Sequence, residues 1–268
     1  MLNHLFTDPL QLGLAQAVAA AIVAYAVVLI ARGRQIHLER ETAIALARGL
    51  VQIIAVGSVL GLLLRSSRWV GVPALAAMIV AAGVTSSKRA KGVPGSLRVS
   101  TVAIACGAGS VIAVMTWLGV IDTAITTLIP VGSMLIANAM NTNGLALNRF
   151  RSDVLAHVGE IETALALGAD PRQSVAAYIQ DSFEASLIPA IDSLRSLGIV
   201  WIPGLMAGML LSGSRPIYAA IYQFVVLAMI FAASGFTSLV STLLIRTQVF
   251  TAAEQLLVRP GTPRARMT

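Results

Sequence analysis

Long runs of apolar residues, separated by short polar connections, make up most of the chain. A bilayer core of roughly 30 Å is crossed by about 20 apolar residues of helix. The apolar runs are continuous rather than alternating, which favours helices over a β-barrel. The predicted spans are residues 10–31, 43–64, 69–85, 99–119, 121–147, a segment within 186–211, and 216–245. The pattern predicts an all-α integral membrane protein of about seven transmembrane helices, in one domain over residues 1–268.

Composition supports the membrane assignment. Of the 268 residues, 57% are hydrophobic and 12% are charged, and the mean hydropathy is +0.83. Soluble domains carry about 25% charged residues, and disordered chains have low hydrophobicity. Both classes are therefore excluded. Cys106 is the only cysteine, which excludes a disulfide framework.

The positive charges indicate orientation. Fourteen of the 19 Lys and Arg residues fall on one set of connections, and Arg65, Arg68 and Arg215 fall on the other. By the positive-inside rule the richer set is cytoplasmic. We therefore expect the N-terminus outside, the C-terminus in the cytoplasm, and a multi-pass protein of the inner (plasma) membrane. Topology accounts for the net charge of +7 without nucleic acid as a partner.

The connection 148–185 is long and holds six of the 12 acidic residues. Apolar residues recur in it at helical spacing. Gly168 can end a first helix, and Asp170-Pro171 can cap a second one. The sequence therefore predicts a cytoplasmic helix-turn-helix. Two roles stay open, because the pair could pack on the bilayer or its own bundle, or dock a soluble partner. The acidic polar face favours a protein partner over anionic lipid.

Several blocks of sequence carry a family resemblance. The loop 160–169, EIETALALGA, resembles the EAA loop of ABC-importer permeases, with Thr163 at an alanine position and Pro189 further along than usual. Over residues 35–255 the chain resembles the FetB-type family of iron-export ABC permeases, which has plant aluminium-tolerance relatives. The blocks that carry this likeness are KRAKGVPG (88–95), PVGSM (130–134), NTNG (141–144), ETALALGA (162–169), LIPAID (187–192) and PGLM (203–206).

The resemblance implies a function and partners. Family members are permease subunits that form a transport path, and we expect a homodimer of permeases joined to two cytoplasmic ATP-binding subunits. It implies that the EAA-like loop is a coupling helix. Family members are linked to iron export and, in plants, to UDP-glucose and aluminium tolerance, so the resemblance favours a metal such as iron but does not fix the cargo. The residues it assigns to coupling are Glu160, Glu162, Leu165 and Gly168.

The chain carries no catalytic motif of its own. A P-loop needs Gly-Lys followed by Ser or Thr, and the only lysines, Lys88 and Lys91, are followed by Arg89 and Gly92. The three histidines lie in three separate connections, so no zinc spacing exists. We therefore expect no enzyme and no catalytic residue here, no cofactor in this chain, and ATP and Mg²⁺ bound by the partner. Metal-binding residues remain unassigned.

Polar residues inside apolar runs are costly in lipid, so each needs a partner or a role. Two interpretations stay open for them, which are bonding or pairing between helices and lining of a path for polar cargo. Asp192 and Arg195 in particular could form a structural pair, a gate or a cargo contact. The residues assigned to the path are Ser133, Asn138, Asn141, Asp192 and Met206.

Two further hypotheses compete with the ABC permease. An ion-driven secondary carrier would need acidic residues deep in the membrane, and Asp192 is the one candidate. A non-transport membrane scaffold would tolerate apolar replacement of the Asn residues at 138, 141 and 143. The sequence leaves the transported substrate and the choice between export and import open.

Overall fold

The computed structural model describes residues 9–32, 39–63, 70–90, 93–251 and 253–258. Within these ranges the secondary structure is helical, apart from two isolated β-bridges. The helices are α1 (Pro9–Arg32), α2 (Glu39–Leu63), α3 (Gly71–Ser87), α4 (Ser96–Ile104), α5 (Ser110–Trp117), α6 (Ile125–Ala156), α7 (Val158–Ala166), α8 (Pro171–Ser174), α9 (Ala176–Ser196), α10 (Gly204–Leu211) and α11 (Pro216–Gln248). A 3₁₀ turn (Lys88–Ala90) follows α3, and a π turn (Ala105–Gly109) joins α4 to α5.

The helices form two compact units, Met1–Ser66 and Ser67–Thr268. The first unit contains α1 and α2, which pack on each other. Most of their described side chains are apolar, and most of these are exposed, as in helices that face lipid.

In the second unit, α6 and α11 form the centre of the bundle. The Ser86 hydroxyl donates to the Met140 carbonyl, and Gly132 contacts Leu75, so α3 and α6 run in the same direction. Gly107 of the π turn lies against Thr237 of α11, while Gly95 lies against Gln248. The segment α4–α5 therefore runs antiparallel to α11. These directions match those expected for the third, fourth, fifth and seventh predicted spans.

Two apolar clusters hold this unit together. The larger one joins α3, α4–α5, α6 and α11 around fully buried side chains such as Ile104, Leu135 and Met229. The smaller one lies at the other end of the bundle, where Phe150, Ile161 and Val249 join α6, α7 and the segment after α11. The helical hairpin after residue 148 is therefore part of the bundle core.

Among the described residues, four helical segments are long and apolar enough to cross a bilayer. They are Gln11–Ile30, Thr42–Val59, Ser96–Trp117 and Pro216–Gln248, and Gly71–Ser87 is a shorter apolar helix. The all-α membrane fold is confirmed. The count of seven passes and their orientation stay predictions.

The fifth and sixth predicted spans differ in detail from the structure. Helix α6 does not end at Leu147 but continues to Ala156, since the apolar stripe of the loop joins the same core. The sixth span is not one helix: α9 ends at Ser196 and α10 begins at Gly204. Gly198 has a φ of +76°, a left-handed conformation that ends the helix, and Pro203 has no N–H with which to continue it.

Candidate coupling and transport site

Helix α7 lies at the end of the bundle that the charge pattern predicts to be cytoplasmic. The Ile161 side chain is buried in the smaller apolar cluster, and Leu165 packs against that cluster. Glu160 and Glu162 are exposed. The predicted apolar stripe therefore packs on the bundle, as one of the open alternatives required, while the acidic face of the helix stays accessible.

The turn after α7 follows the local signals in the sequence. Gly168 has a φ of +87°, which glycine adopts without strain. Asp170 caps α8, and its carboxylate accepts a hydrogen bond from the Arg172 N–H at 2.6 Å, with Pro171 at the first helical position. Between them, the Leu167 side chain is 84% exposed. Sequence reasoning missed this apolar tip, because it lies off the helical stripe.

Tyr178 joins α7 to α9. Burial raises the pKa of its phenol, and the nearby Glu160 carboxylate raises the pKa further by its charge and by a hydrogen bond. The His157 ring stacks on the Tyr178 ring at 5.0 Å between centroids. The protonated hydroxyl thus links Glu160 of α7 to the first turn of α9.

A turn formed by residues 249–251 and 253–258 packs beside α7. Its backbone closes on itself, since the Thr251 N–H donates to the Gln255 carbonyl at 2.9 Å, and Leu256 is buried in the smaller cluster. Between this turn and α7 lies a cleft of about 340 Å³, lined by Glu162, Leu165, Ala253, Glu254, Gln255 and Leu256. We call these six residues the inner cleft. Its second wall was not predicted, because nothing in the sequence pairs residues 253–256 with α7.

The predicted path residues of α6 divide by their surroundings. The Ser133 hydroxyl donates to the Pro130 carbonyl at 2.7 Å, and the Asn138 amide donates to the Met134 carbonyl at 2.8 Å, so both are bonded within their own helix. Asn141 is exposed, and lies three residues from Asn138 on the same side of α6. We call Asn138, Asn141 and Asn148 the amide row.

Asn143 has a different place from the amide row. It is fully buried, and its amide donates to the Ser86 hydroxyl at 2.7 Å and to the Ser100 hydroxyl at 2.9 Å. It therefore joins α6 to α3 and α4. Of the two interpretations of the polar residues, Asn143 therefore fits bonding between helices. The sequence alone could not distinguish Asn143 from Asn138 and Asn141 in this respect.

Asp192 and Arg195 form an ion pair on α9, with 3.8 Å between the Asp192 Oδ1 and Arg195 Nη1 atoms. Their side chains are 62% and 78% exposed. The Ser186 hydroxyl contacts the Ser238 hydroxyl at 2.7 Å, so a rise of about 1.5 Å per residue places Asp192 some 9 Å further along, near the middle of α11. An exposed ion pair at this depth is disfavoured in lipid.

Met206 lies in the first turn of α10, after the break in the sixth predicted span. Its N–H donates to the Gln223 Oε1 atom of α11 at 3.2 Å. Within the described residues, no hydrogen bond or ion pair joins Met206 or Asp192 to the amide row. The predicted path residues are therefore spread over α6, α9 and α10 rather than gathered in one cluster.

The described residues contain no group of three or more His, Cys, Asp or Glu side chains that could hold a metal ion. The polar groups of the predicted path residues are instead amides, a hydroxyl and the exposed Asp192–Arg195 ion pair.

Comparison with known proteins identifies the family. The profile of an uncharacterised protein family, UPF0014, matches residues 14–250. The chain belongs to the UPF0014 family. Rice "UPF0014 membrane protein STAR2" is 35% identical over 246 residues, which is 91% of this chain and 86% of that protein. Arabidopsis "Protein ALUMINUM SENSITIVE 3" is 32% identical, over 91% of this chain and 90% of that protein.

A bacterial UPF0014 relative carries a transport name. "Probable iron export permease protein FetB" of Escherichia coli strain K12 is 31% identical over 247 residues, which is 91% of this chain and 94% of that protein. No solved structure matches the chain. The resemblance inferred from the sequence blocks is confirmed: the chain is a multi-pass membrane protein of a family that includes a relative named as a probable iron export permease.

Proposed function

We propose that this UPF0014 protein is the permease subunit of an ABC transporter that exports a metal, with iron as the first cargo to test. In this proposal a cytoplasmic ATP-binding subunit docks on α7 and the inner cleft, and it binds the ATP and Mg²⁺. Two copies of the permease enclose the path, and the protein resides in the inner (plasma) membrane.

The observation that carries the proposal is how α7 packs on the bundle and which of its side chains stay exposed. Its apolar side is fixed in the bundle through Ile161, and its exposed side presents Glu160, Glu162 and the Leu167 tip. An exposed apolar side chain beside acidic groups favours a protein partner with a basic, partly apolar surface. Among the coupling residues assigned from the resemblance, Glu160, Glu162 and Leu165 lie on α7, and Gly168 lies in the turn directly after it.

The contact between Glu160 and Tyr178 supports a route for coupling. Closure of the partner on ATP would displace α7, and Tyr178 would carry that displacement into α9. Helix α9 bears the Asp192–Arg195 pair and leads to the break before α10. Alternating access needs such an element with two arrangements that the partner can bias.

The exposed polar positions support a paired permease. Asn141 of the amide row and the Asp192–Arg195 pair would face lipid if a single copy crossed the bilayer alone. Their exposure is accounted for if a second copy, or a polar path between two copies, covers them. In this arrangement Ser133, Asn138 and Met206 border the path rather than bind cargo alone.

The cargo assignment is supported by the name of the Escherichia coli relative, which refers to iron export. The rice and Arabidopsis relatives are named for membrane location and for aluminium sensitivity. The Escherichia coli and Arabidopsis names connect the family with metals, and we carry iron over to this chain on that ground.

Charge reversal in the coupling surface tests the ATPase partner. The full chain is co-purified with the ATP-binding protein proposed as its partner, and ATP turnover is measured with and without Glu162→Arg. We expect the stimulated ATP turnover to fall roughly tenfold, because a reversed charge inside the proposed interface would weaken docking of the ATPase by at least that factor. Asp181→Arg is the matched control, since Asp181 is an exposed acid on α9 outside the inner cleft.

The outcome that would contradict the coupling assignment is specific. If the ATPase stays bound and its turnover is equal for wild type, Glu162→Arg and Asp181→Arg, α7 is not the coupling element. Transport by the purified chain alone, driven by an ion gradient, would instead favour a secondary carrier.

Cargo needs its own experiment. Cells that lack the protein are loaded with iron, and efflux is followed after return of the wild-type chain. Restored efflux is the expected result. Equal efflux with and without the protein would remove iron as the cargo while the permease assignment stands on the ATPase experiment.

A further inference from the structure

An arginine in the turn after α3 lies across a glycine of α6. Arg89 belongs to the block KRAKGVPG (88–95), and Gly144 belongs to the block NTNG (141–144). A methyl group placed on Gly144 would lie 2.7 Å from the Arg89 Cδ atom, 3.2 Å from Nη1 and 3.4 Å from Nε. The Arg89 side chain therefore rests on α6, and the missing side chain at position 144 leaves the space for it.

Hydrogen bonds beside this contact fix its position. The Asn143 amide donates to the Ser86 hydroxyl at 2.7 Å, and the Ser86 hydroxyl donates to the Met140 carbonyl at 3.2 Å. Ser86 is three residues before Arg89, and Asn143 is adjacent to Gly144. The end of α3 is thus held in one register against α6, and the base of the Arg89 side chain is held with it.

The Arg89 guanidinium has no carboxylate partner among the described residues. The ion pairs that the structure describes there are Arg149–Asp153, at 2.9 Å, and Asp192–Arg195, at 3.8 Å. Residues 42–121, which include Arg89, contain no Asp or Glu. The Arg89 side chain is exposed, so its N–H donors are accessible from outside the bundle.

Two members of the amide row flank the guanidinium. Asn141 is three residues before Gly144 and Asn148 is four residues after it, so the three positions lie on one side of α6. Both asparagines are exposed, and neither forms a hydrogen bond within the described ranges. Each amide carries an NH₂ donor. Donors are therefore available on both sides of Arg89.

We propose that Arg89, with Asn141 and Asn148, binds an oxyanion such as a carboxylate or phosphate group. The planar guanidinium presents paired N–H donors that match two oxygens of one such group. It carries a positive charge and has no acceptor atom, so a bare metal cation is disfavoured there. This inference rests on the proposed function only for its use in transport, in which the metal crosses as a complex with an anionic ligand.

The site lies at the end of the bundle that the charge pattern predicts to be cytoplasmic. Two sources of oxyanion reach that end, which are a soluble anion and the phosphate of a membrane lipid. Because the recognising chemistry is the same for both, the experiment needs one arm for each source.

The full chain is purified in a maltoside detergent without phosphate. In the first arm, equilibrium dialysis measures binding of labelled inorganic phosphate at an ionic strength held constant with chloride, and citrate is added as a competitor. In the second arm, native mass spectrometry measures retention of phosphatidylglycerol against phosphatidylcholine. We expect saturable phosphate binding that citrate displaces, and equal retention of the two lipids.

Substitutions at the contact test whether the site is built as described. Arg89→Gln removes the charge and the paired donors and should weaken phosphate binding at least tenfold. Arg89→Lys keeps the charge without the planar group and should recover part of that loss. Arg172→Gln is the matched control, because it removes an exposed arginine from α8 and should bind phosphate as wild type does.

Gly144→Ala tests position alone, since it changes neither charge nor donors. The added methyl group displaces the guanidinium and should weaken phosphate binding about threefold, because paired donors depend on geometry. The variant should unfold at the wild-type temperature, since the group that must move is the flexible end of the Arg89 side chain.

The outcomes are independent of the coupling test, because no ATPase is present. Selective retention of phosphatidylglycerol without phosphate binding, lost in Arg89→Gln, would support the site and assign its oxyanion to lipid. Binding of neither phosphate nor phosphatidylglycerol by the wild type would overturn the proposal. Equal binding by the wild type, Arg89→Gln and Gly144→Ala would also overturn it.

Discussion

Helices α11 and α6 each carry a row of polar side chains, and the two rows have different environments. On α11, Ser234, Thr237 and Ser241 are buried, and within the described residues their hydroxyls have no hydrogen-bond partner. On α6, the amide row includes the exposed Asn141. The α11 row faces the π turn, where Gly107 and Thr237 are in contact. In the α6 row, Asn141 and Asn148 are exposed, while Asn138 is half-buried and bonded within its own helix.

The difference shows what polar residues do in this bundle. Small hydroxyls on α11 let two backbones approach closely, as small residues do in membrane helix packing. Amides left exposed on α6 contribute nothing visible to the fold of one copy. Burial, rather than polarity, therefore separates residues that hold the bundle together from residues available for transport.

Gly107→Val should have the largest effect. Even a single methyl group at Gly107 would lie 2.6 Å from the Thr237 backbone nitrogen, so the helices must separate. We expect a loss of about 3 kcal/mol of stability or failure to assemble, measured as thermal unfolding of the purified protein. Gly235→Ala is the control on the same helix α11, because a methyl group there meets nothing within 4 Å. Equal melting temperatures for both variants would contradict close packing at the π turn.

Asn143→Leu should have the next largest effect on stability. It removes two hydrogen bonds and leaves the Ser86 and Ser100 hydroxyls buried without that partner. We expect a loss of about 2 kcal/mol, again measured by thermal unfolding. An unchanged melting temperature would mean that Asn143, like the exposed amides, does not stabilise the fold.

Asn141→Leu makes the converse test two residues away. Since Asn141 is exposed, the variant should unfold at the wild-type temperature, while iron efflux falls roughly tenfold through loss of a polar contact in the path. Wild-type efflux, combined with wild-type stability, would support the scaffold alternative for the amide row.

Tyr178→Phe should have the smallest effect and should act on coupling alone. It removes the bond to Glu160 but keeps the stacked ring, so the partner should still bind while stimulated ATP turnover falls about threefold. The pKa of Tyr178 is raised above its ordinary 10.0, so the protonated phenol is the form that the fold favours. Its contribution is complete at neutral pH and is lost only as pH rises through the raised pKa.

A pH titration of turnover checks this assignment. The difference between wild type and Tyr178→Phe should be constant through neutral pH and should shrink only in strongly alkaline buffer. A difference that vanishes near pH 7 would mean that another group controls the contact.

Local signals predicted the cytoplasmic hairpin well. Gly168 ends its helix segment and Asp170-Pro171 starts the next helix as expected, because these residues act within one turn of backbone. The apolar stripe that includes Ile161 was predicted for the same reason. The family resemblance then supplied the assignment of coupling residues, which periodicity alone does not provide.

Long-range features could not be predicted in this way. Residues 199–202, Ile-Val-Trp-Ile, read as the middle of a continuous span, and the apolar run outweighed the local signals of Gly198 and Pro203 that end the helix around them. The wall formed by residues 253–256 and the pairing of Gln223 with Met206 join segments that are distant in sequence. Exposure of Asn141 beside buried Asn143 depends on which neighbours α6 meets.

The π turn at Ala105–Gly109 has a consequence for insertions and deletions. A turn closed by i→i+5 bonds holds one residue more than an α-helical turn. Deleting one residue within 105–109 would let the segment close as regular α-helix while α4 and α5 keep their faces toward α11. The same deletion elsewhere in α4 or α5 would rotate everything beyond it by about 100°. Chain length can therefore vary at this one turn, in the middle of a span, where length is otherwise constrained by packing.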